Sequence, residues 1–427
     1  MAVEYARDAF WQTLGYIAQE TESDRELRTA GRFADFEKTM PHLPLSRLRD
    51  ISVVDNVSSY LGKRNPLARP VDPDKHVVWL QDNTAYRPNG TKDVWEAEFV
   101  CAYFVKNSGR DWGRVVADIA DKAGLGAGNK HAEATIAKRL EPWMDSILPA
   151  HTVKIRIGDN NDDDGDESQI ATLGPSDRSG VSKTLIRTPD RHRHADGDTI
   201  TSHSINHLAT RHMTTTFAEP TGWAVISDID DTIKITQTPS PAGILRSTFV
   251  DDPQPVAGMP ALYAHIRASL GGNPPFWYLS ASPYNLYPFL RDFRARFGFP
   301  DGPLLLRNAS WMDLAGFLVA LTAGTKAYKT DRMRDLQRMF PRRRFVLVGD
   351  STQSDPEAYG EMARLFPEWV GKVLIRRVTG VAEIDRTSKN TVERFERAFE
   401  GVERGVWTVF DRPEEVYGEV ERLVGRK

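Results

Sequence analysis

From Trp223 onward, short apolar runs alternate with longer stretches of helical periodicity. The runs 223–226, 276–279, 303–306, 345–348 and 372–375 are too short for helices and largely apolar, as strands buried on both faces are. Between them, residues 259–270, 284–297, 329–340 and 355–365 carry apolar side chains at helical spacing. This alternation predicts an α/β fold for the C-terminal half, a parallel sheet with helices on both faces.

The N-terminal half is less regular. Residues 4–20 bring Tyr5, Phe10, Leu14 and Ile17 to one face of an amphipathic helix. Strand patterns follow at 76–80 and 95–105, then helical stretches at 112–123 and 131–147, the second expected to break at Pro142. Further strands are expected at 152–157, 182–187, 199–205 and 212–217. The reading is a mixed, partly β-rich domain over 1–218, drawn as a β-sandwich decorated by helices, ahead of an α/β domain over 219–427. A length of 427 residues with 40% hydrophobic content agrees with two cores.

Composition narrows the function classes. A formal net charge of -3 from 56 basic and 59 acidic residues gives no footprint of a nucleic-acid binder. Cys101, the sole cysteine, excludes an intramolecular disulfide and a thiolate metal cluster, and its apolar setting predicts a buried structural thiol. The N-terminus shows neither a secretory nor a transit pattern, and no apolar stretch reaches the roughly 20 residues needed to cross a bilayer. The nearest, 311–323, contains Asp313. The acidic run 159–167 fits a calcium loop in neither register, because Asp164 falls on the turn glycine in one and Ala171 on the bidentate glutamate in the other. It reads as a solvated loop, as does the stretch holding His192 and His194.

The chemistry concentrates where the strand runs end. Asp228, Asp230 and Asp231 follow the run 223–226, and Asp350 and Asp355 follow the run 345–348. Ligands of open α/β sheets bind at the carboxyl ends of the strands, so acids from two strands are expected to converge. Crowded carboxylates repel and lose hydration, and a hard divalent cation with oxygen ligands, magnesium rather than zinc, offsets both costs. Ser280 at the end of the second run and Lys329 ahead of the fourth supply donors suited to phosphate oxygens. The bland reading keeps Asp231 as a turn residue and Asp355, before Pro356, as a helix start.

The order of these pieces resembles the haloacid-dehalogenase superfamily of phosphotransferases: an Asp-x-Asp-x-Thr loop at Asp228, Asp230 and Thr232, a serine at 280, a lysine at 329 and an acidic pair at 350 and 355. Residues 225–234, 278–288 and 345–359 more closely resemble the actin-patch phosphatidate phosphatase family, whose catalytic domain is related to the lipins. The resemblance covers about 220–410. Tyr328 stands where that family usually has histidine, and Thr352 where glycine is common.

The resemblance implies a haloacid-dehalogenase-like fold and a magnesium-dependent hydrolysis of phosphatidate to diacylglycerol and phosphate. Asp228 is the implied nucleophile and Asp230 the implied acid and base, with Thr232, Ser280 and Lys329 positioning the phosphoryl oxygens. Mg²⁺ would be held by Asp228, the Asp230 backbone carbonyl and Asp350, with Asp355 as ligand or orienting group. It also implies a cytoplasmic, peripherally membrane-associated protein that meets a phospholipid substrate at the membrane surface, with cortical actin or endocytic proteins as partners. Two readings stand beside it: the same mechanism on a lipid diphosphate, soluble metabolite or phosphoprotein, and a non-catalytic scaffold at actin-rich membrane sites. Residues 311–321 are read either as an apolar membrane-contacting element or as core. Arg291, Arg294 and Arg296, with Arg342 to Arg344, are read either as attracting anionic lipid or as solvated. Pro41 to Pro44 is a weak candidate ligand for an adaptor domain.

Overall fold

The computed structural model describes residues 15–16, 18–40, 68–88, 91–106, 113–125, 129–158, 169–177, 180–189, 194–205, 212–307 and 314–425. Most of the helix expected over 4–20, the stretch 41–44, the acidic run 159–167, His192 and residues 311–313 lie outside them. The chain divides into two compact units, one of residues 1–5, 44–110 and 144–220, the other of residues 6–43, 111–143 and 221–427.

Among the described residues, ten strands join into one sheet in the first unit. Val94–Val105 is its longest member and pairs antiparallel with His76–Leu80, Asn83–Tyr86, Ser146–Ile147 and Val181–Pro189. His151–Ile157 pairs with Gln169–Leu173 and Thr199–Ser204, and its side chains alternate between buried and more exposed positions, the period of a strand with one face inward. Trp95, Phe99, Tyr103, Ile155, Leu173 and Phe217 form the core there. Cys101 lies among them with 0% exposure, and burial raises its thiol pKa, so it is an inert packing residue.

The second unit holds a six-stranded sheet in the order Leu304–Arg307, Phe276–Pro283, Trp223–Ser227, Arg344–Asp350, Val370–Arg376, Trp407–Phe410. Every neighbouring pair is parallel. Five of these strands cover the apolar runs expected from the sequence; the edge strand Trp407–Phe410, itself short and largely apolar, is a sixth beyond those expected. Trp223–Ser227 sits between Phe276–Pro283 and Arg344–Asp350, so its carboxyl end is flanked by theirs.

Two expectations need correction, and one open alternative is decided. Lys130–Met144 runs through Pro142 without a break: the helix continues only two residues past the proline, and fully buried Trp143 packs edge-on against Phe249 and Phe317. The helix Leu314–Thr322 is core and not a membrane element: Phe317 and Leu318 are at 0% exposure, and Ala320 and Leu321 are buried beside them. The arginine clusters also come apart. Arg294 is buried and donates to Asp301, and Arg343 is buried and donates to the carbonyls of Thr221 and Trp223, so neither contributes to a basic patch.

Candidate active site

Asp228 continues the strand Trp223–Ser227 by one backbone hydrogen bond, its N–H donating to the Val348 carbonyl at 2.8 Å. The chain then turns sharply. Asp231 adopts φ 60°, a left-handed conformation that aspartate tolerates better than most residues. Its Oδ1 accepts from the N–H groups of Thr236 and Gln237 at 2.9 and 2.8 Å, and its Oδ2 from the N–H and hydroxyl of Thr238 at 2.7 and 2.6 Å. Burial raises the Asp231 pKa, the nearby Asp350 adds to it, and the Thr238 donors oppose it. Asp231 thus ties the loop to itself, while Ile229 and Ile233, each 1% exposed, anchor it in the core.

With Asp231 facing its own loop, Asp228 and Asp230 face different neighbours. The Lys329 ammonium, on the helix Thr325–Met339, donates to Asp228 Oδ1 at 2.7 Å and to Asp355 Oδ1. Thr232 Oγ1 lies 2.9 Å from Asp228 Oδ2 and 3.1 Å from Asp350 Oδ2. With a single hydroxyl proton, it can donate to only one of them at a time. Asp350 is oriented by the N–H and hydroxyl of Thr352, and its own N–H donates to Asp355 Oδ2 at 3.1 Å. Thr352 therefore does work a glycine cannot do, and its hydroxyl oxygen lies 2.9 Å from that of Thr238, whose single proton goes to Asp231 or to Thr352 but not to both at once. Tyr328 is buried and donates to the Leu305 carbonyl at 3.1 Å, which makes it a packing residue against the strand Leu304–Arg307.

The Asp230 carboxylate has a separate environment made of hydroxyls. Ser280 and Ser282 donate to Oδ2 at 2.6 and 3.1 Å, and Thr236 donates to Oδ1 at 2.8 Å. Ser282 and Thr236 were not singled out in the sequence. Ser280 and Ser282 are two apart on Phe276–Pro283 and so share a face, which is the signal that could have found the second of them.

Asp228, Asp350 and Asp355 each offer a carboxylate oxygen within 4.8 Å of the others, and all three are at 0% exposure. Burial raises the Asp228 pKa well above the usual range, with Lys329 opposing and Asp355, Asp350 and Asp230 adding to the rise. Asp350 is raised by burial and then by Asp355. Burial alone would lower the Lys329 pKa, but Asp228, Asp355 and Asp350 together hold it above its ordinary value. One ammonium against three buried carboxylates leaves negative charge uncompensated, and the donors are hard oxygens. The cluster therefore suits a divalent cation. The Asp230 carboxylate lies outside it.

Residues 223–377 match the family described as phosphatidate phosphatase APP1, catalytic domain. The chain is 31% identical over 163 residues to phosphatidate phosphatase APP1 of Saccharomyces cerevisiae, covering 38% of this chain and 27% of that protein. It is 28% identical over 176 residues to an uncharacterised protein of Schizosaccharomyces pombe, covering 40% of this chain and 28% of that one. The matched part thus spans about a quarter of the length of these curated relatives.

Proposed function

We propose, from the match of residues 223–377 to the APP1 catalytic-domain family, that this chain is a Mg²⁺-dependent phosphatidate phosphatase with a haloacid-dehalogenase-like catalytic unit. The observation that carries the reading is the buried set of Asp228, Asp350 and Asp355 closed around Lys329, with Asp230 held apart among hydroxyls. A pure scaffold has no use for buried like charges that cost stability.

In this reading an Asp228 oxygen attacks phosphorus, and the bond from phosphorus to the glycerol oxygen breaks. Asp230 gives its proton to the leaving oxygen, so diacylglycerol departs as the alcohol. Asp230 then takes a proton from a water whose oxygen attacks the aspartyl phosphate. Phosphate leaves and the Asp228 carboxylate is restored. The Ser280, Ser282 and Thr236 hydroxyls hold the Asp230 carboxyl in place for both transfers, and the Lys329 ammonium balances charge on the phosphoryl oxygens. Asp228, Asp350 and Asp355 would hold Mg²⁺, which supplies further charge stabilisation on those oxygens when bound.

Among the described residues no helix is long and apolar enough to cross a membrane. We place the protein at the cytoplasmic membrane surface, reaching its phospholipid from the aqueous side. The test is phosphate release from phosphatidate in mixed micelles, with and without Mg²⁺, for the wild type and Asp228→Asn. Mg²⁺-dependent release that Asp228→Asn abolishes is expected. No such release from phosphatidate or from a soluble ester overturns the reading, and release from the soluble ester alone overturns the lipid assignment.

A further inference from the structure

Asp24 lies on the helix Glu22–Ala30, outside the residues that match the family, yet it is buried to 2% exposure. It is the third residue of a helix whose N-cap, Thr21, accepts from the Asp24 N–H at 3.0 Å. An acid at that position ordinarily stays in water, where it still complements the helix dipole. Here its carboxylate is turned inward, which costs several kcal/mol unless partners compensate.

The partners come from three other parts of the second unit. Asp24 Oδ1 is 3.2 Å from the Lys389 ammonium, which is at 0% exposure. Asp24 Oδ2 accepts from Ser354 Oγ at 2.5 Å and from Thr325 Oγ1 at 3.4 Å. Thr21 Oγ1 adds a contact to Ser354 Oγ at 3.2 Å, and Lys389 also donates to the Gln353 carbonyl at 3.4 Å. Ser354 immediately precedes Asp355, and Thr325 lies one helical turn before Lys329. Asp24 therefore joins the two elements whose next functional side chains, Asp355 and Lys329, meet in the site.

We infer that Asp24 is a positioning residue of the active site, which sets where Asp355 and Lys329 stand by holding Ser354 and Thr325 together. The helix is independently fixed: Leu27 packs with Val378 and Ile384, and Glu26 accepts from the N–H and hydroxyl of Ser388 at 3.0 and 2.6 Å. Loss of Glu26 thus loosens the same helix without touching the acidic turn, which makes it the control.

The inference rests on the metal-site reading above, and one measurement separates the two. Mg²⁺ binding to the full chain is titrated by calorimetry without substrate, well below the melting temperature of each variant. Partners that orient ligating carboxylates typically change metal affinity by about 10- to 100-fold when removed. Asp24→Asn is expected to weaken Mg²⁺ binding by about tenfold or more, and Glu26→Ala to leave it within about twofold of the wild type. Equal affinity for Asp24→Asn and wild type, or equal weakening by both variants, overturns the inference alone. Absence of Mg²⁺ binding by the wild type rejects the metal site and the inference with it. Should Asp24→Asn fail to fold, the double variant Asp24→Asn with Lys389→Met, which leaves no unpaired buried charge, takes its place under the same criteria. If neither folds, Asp24 is a core ion pair and the positioning role falls.

Discussion

The Lys329 ammonium lies 2.7 Å from Asp228 Oδ1, and both side chains are buried, at 0% and 1% exposure. Removing one partner of a buried ion pair costs about 3–5 kcal/mol, because the other charge is left behind. Lys329→Met is therefore expected to lower stability by about that amount near neutral pH and to reduce phosphate release by about 10²-fold or more. The sign with pH follows from the acids left facing each other. A carboxyl whose folded pKa is raised, as burial raises those of Asp228 and Asp350, is least costly when protonated, and its cost grows as pH rises above the unfolded value. The deficit of Lys329→Met should thus shrink as pH is lowered toward about 4. Urea denaturation at several pH values measures it, and a deficit that widens in acid would contradict the argument.

Gly349 makes room for Asp355. A Cβ at this position would stand 2.4 Å from Asp355 Oδ2 and 2.7 Å from Tyr359 Cε2. Gly349→Ala is expected to cost about 1–3 kcal/mol through overpacking and, because the carboxylate must move, to reduce turnover far more than that loss of folded protein explains. Activity per folded molecule, with the folded fraction read by circular dichroism, checks this. An Ala variant with wild-type turnover would show that Asp355 has freedom the packing denies it.

The parallel strands are legible in the sequence because burial on both faces leaves nothing but apolar residues to read. The acids at Asp228 and Asp350 announce themselves by being where apolar runs stop. Hydroxyls carry a weaker signature: Ser282 is marked only by its spacing from Ser280, and Thr236 becomes recognisable only when it is seen donating to Asp230. Asp24 is further from view, since 330 residues separate it from Ser354 and only the fold brings them together. The helix Leu314–Thr322 illustrates a different gap. It is apolar nearly all round, so its sequence suits a core and a membrane interface equally, and only its neighbours decide.

Those neighbours make Phe317 a stability determinant. Its ring is at 0% exposure and packs edge-on against both Trp143 and Phe249. Phe317→Ala should leave a cavity and cost about 3–5 kcal/mol. Chemical denaturation followed by tryptophan fluorescence gives the value, and vesicle sedimentation of the folded variant should equal that of the wild type. A variant of undiminished stability that no longer sediments with anionic vesicles would restore the membrane role.

The first unit has its own pH-sensitive contact. Glu96 is 5% exposed near the start of Val94–Val105, where the Tyr86 hydroxyl donates to Oε1 and the Arg187 guanidinium to Oε2 at 2.6 Å. Burial would raise the Glu96 pKa, but these two donors outweigh it and hold the carboxyl below its ordinary value. A depressed carboxyl contributes stability above its unfolded pKa of about 4.3 and loses it as pH falls through the folded value. The Arg187 side chain is 70% exposed, so solvent screens its share and the Tyr86 hydrogen bond carries most of the effect. Glu96→Gln keeps the shape of the side chain and removes its charge. It is expected to destabilise the protein by about 1–3 kcal/mol at pH 7, the worth of a hydrogen bond to a charged group. The gap to the wild type should narrow as pH falls below about 4.3 and through the lower folded value, as the native carboxyl itself becomes neutral. Denaturation curves from pH 7 downward decide it: a gap that does not narrow as pH falls would assign the loss to packing and not to charge.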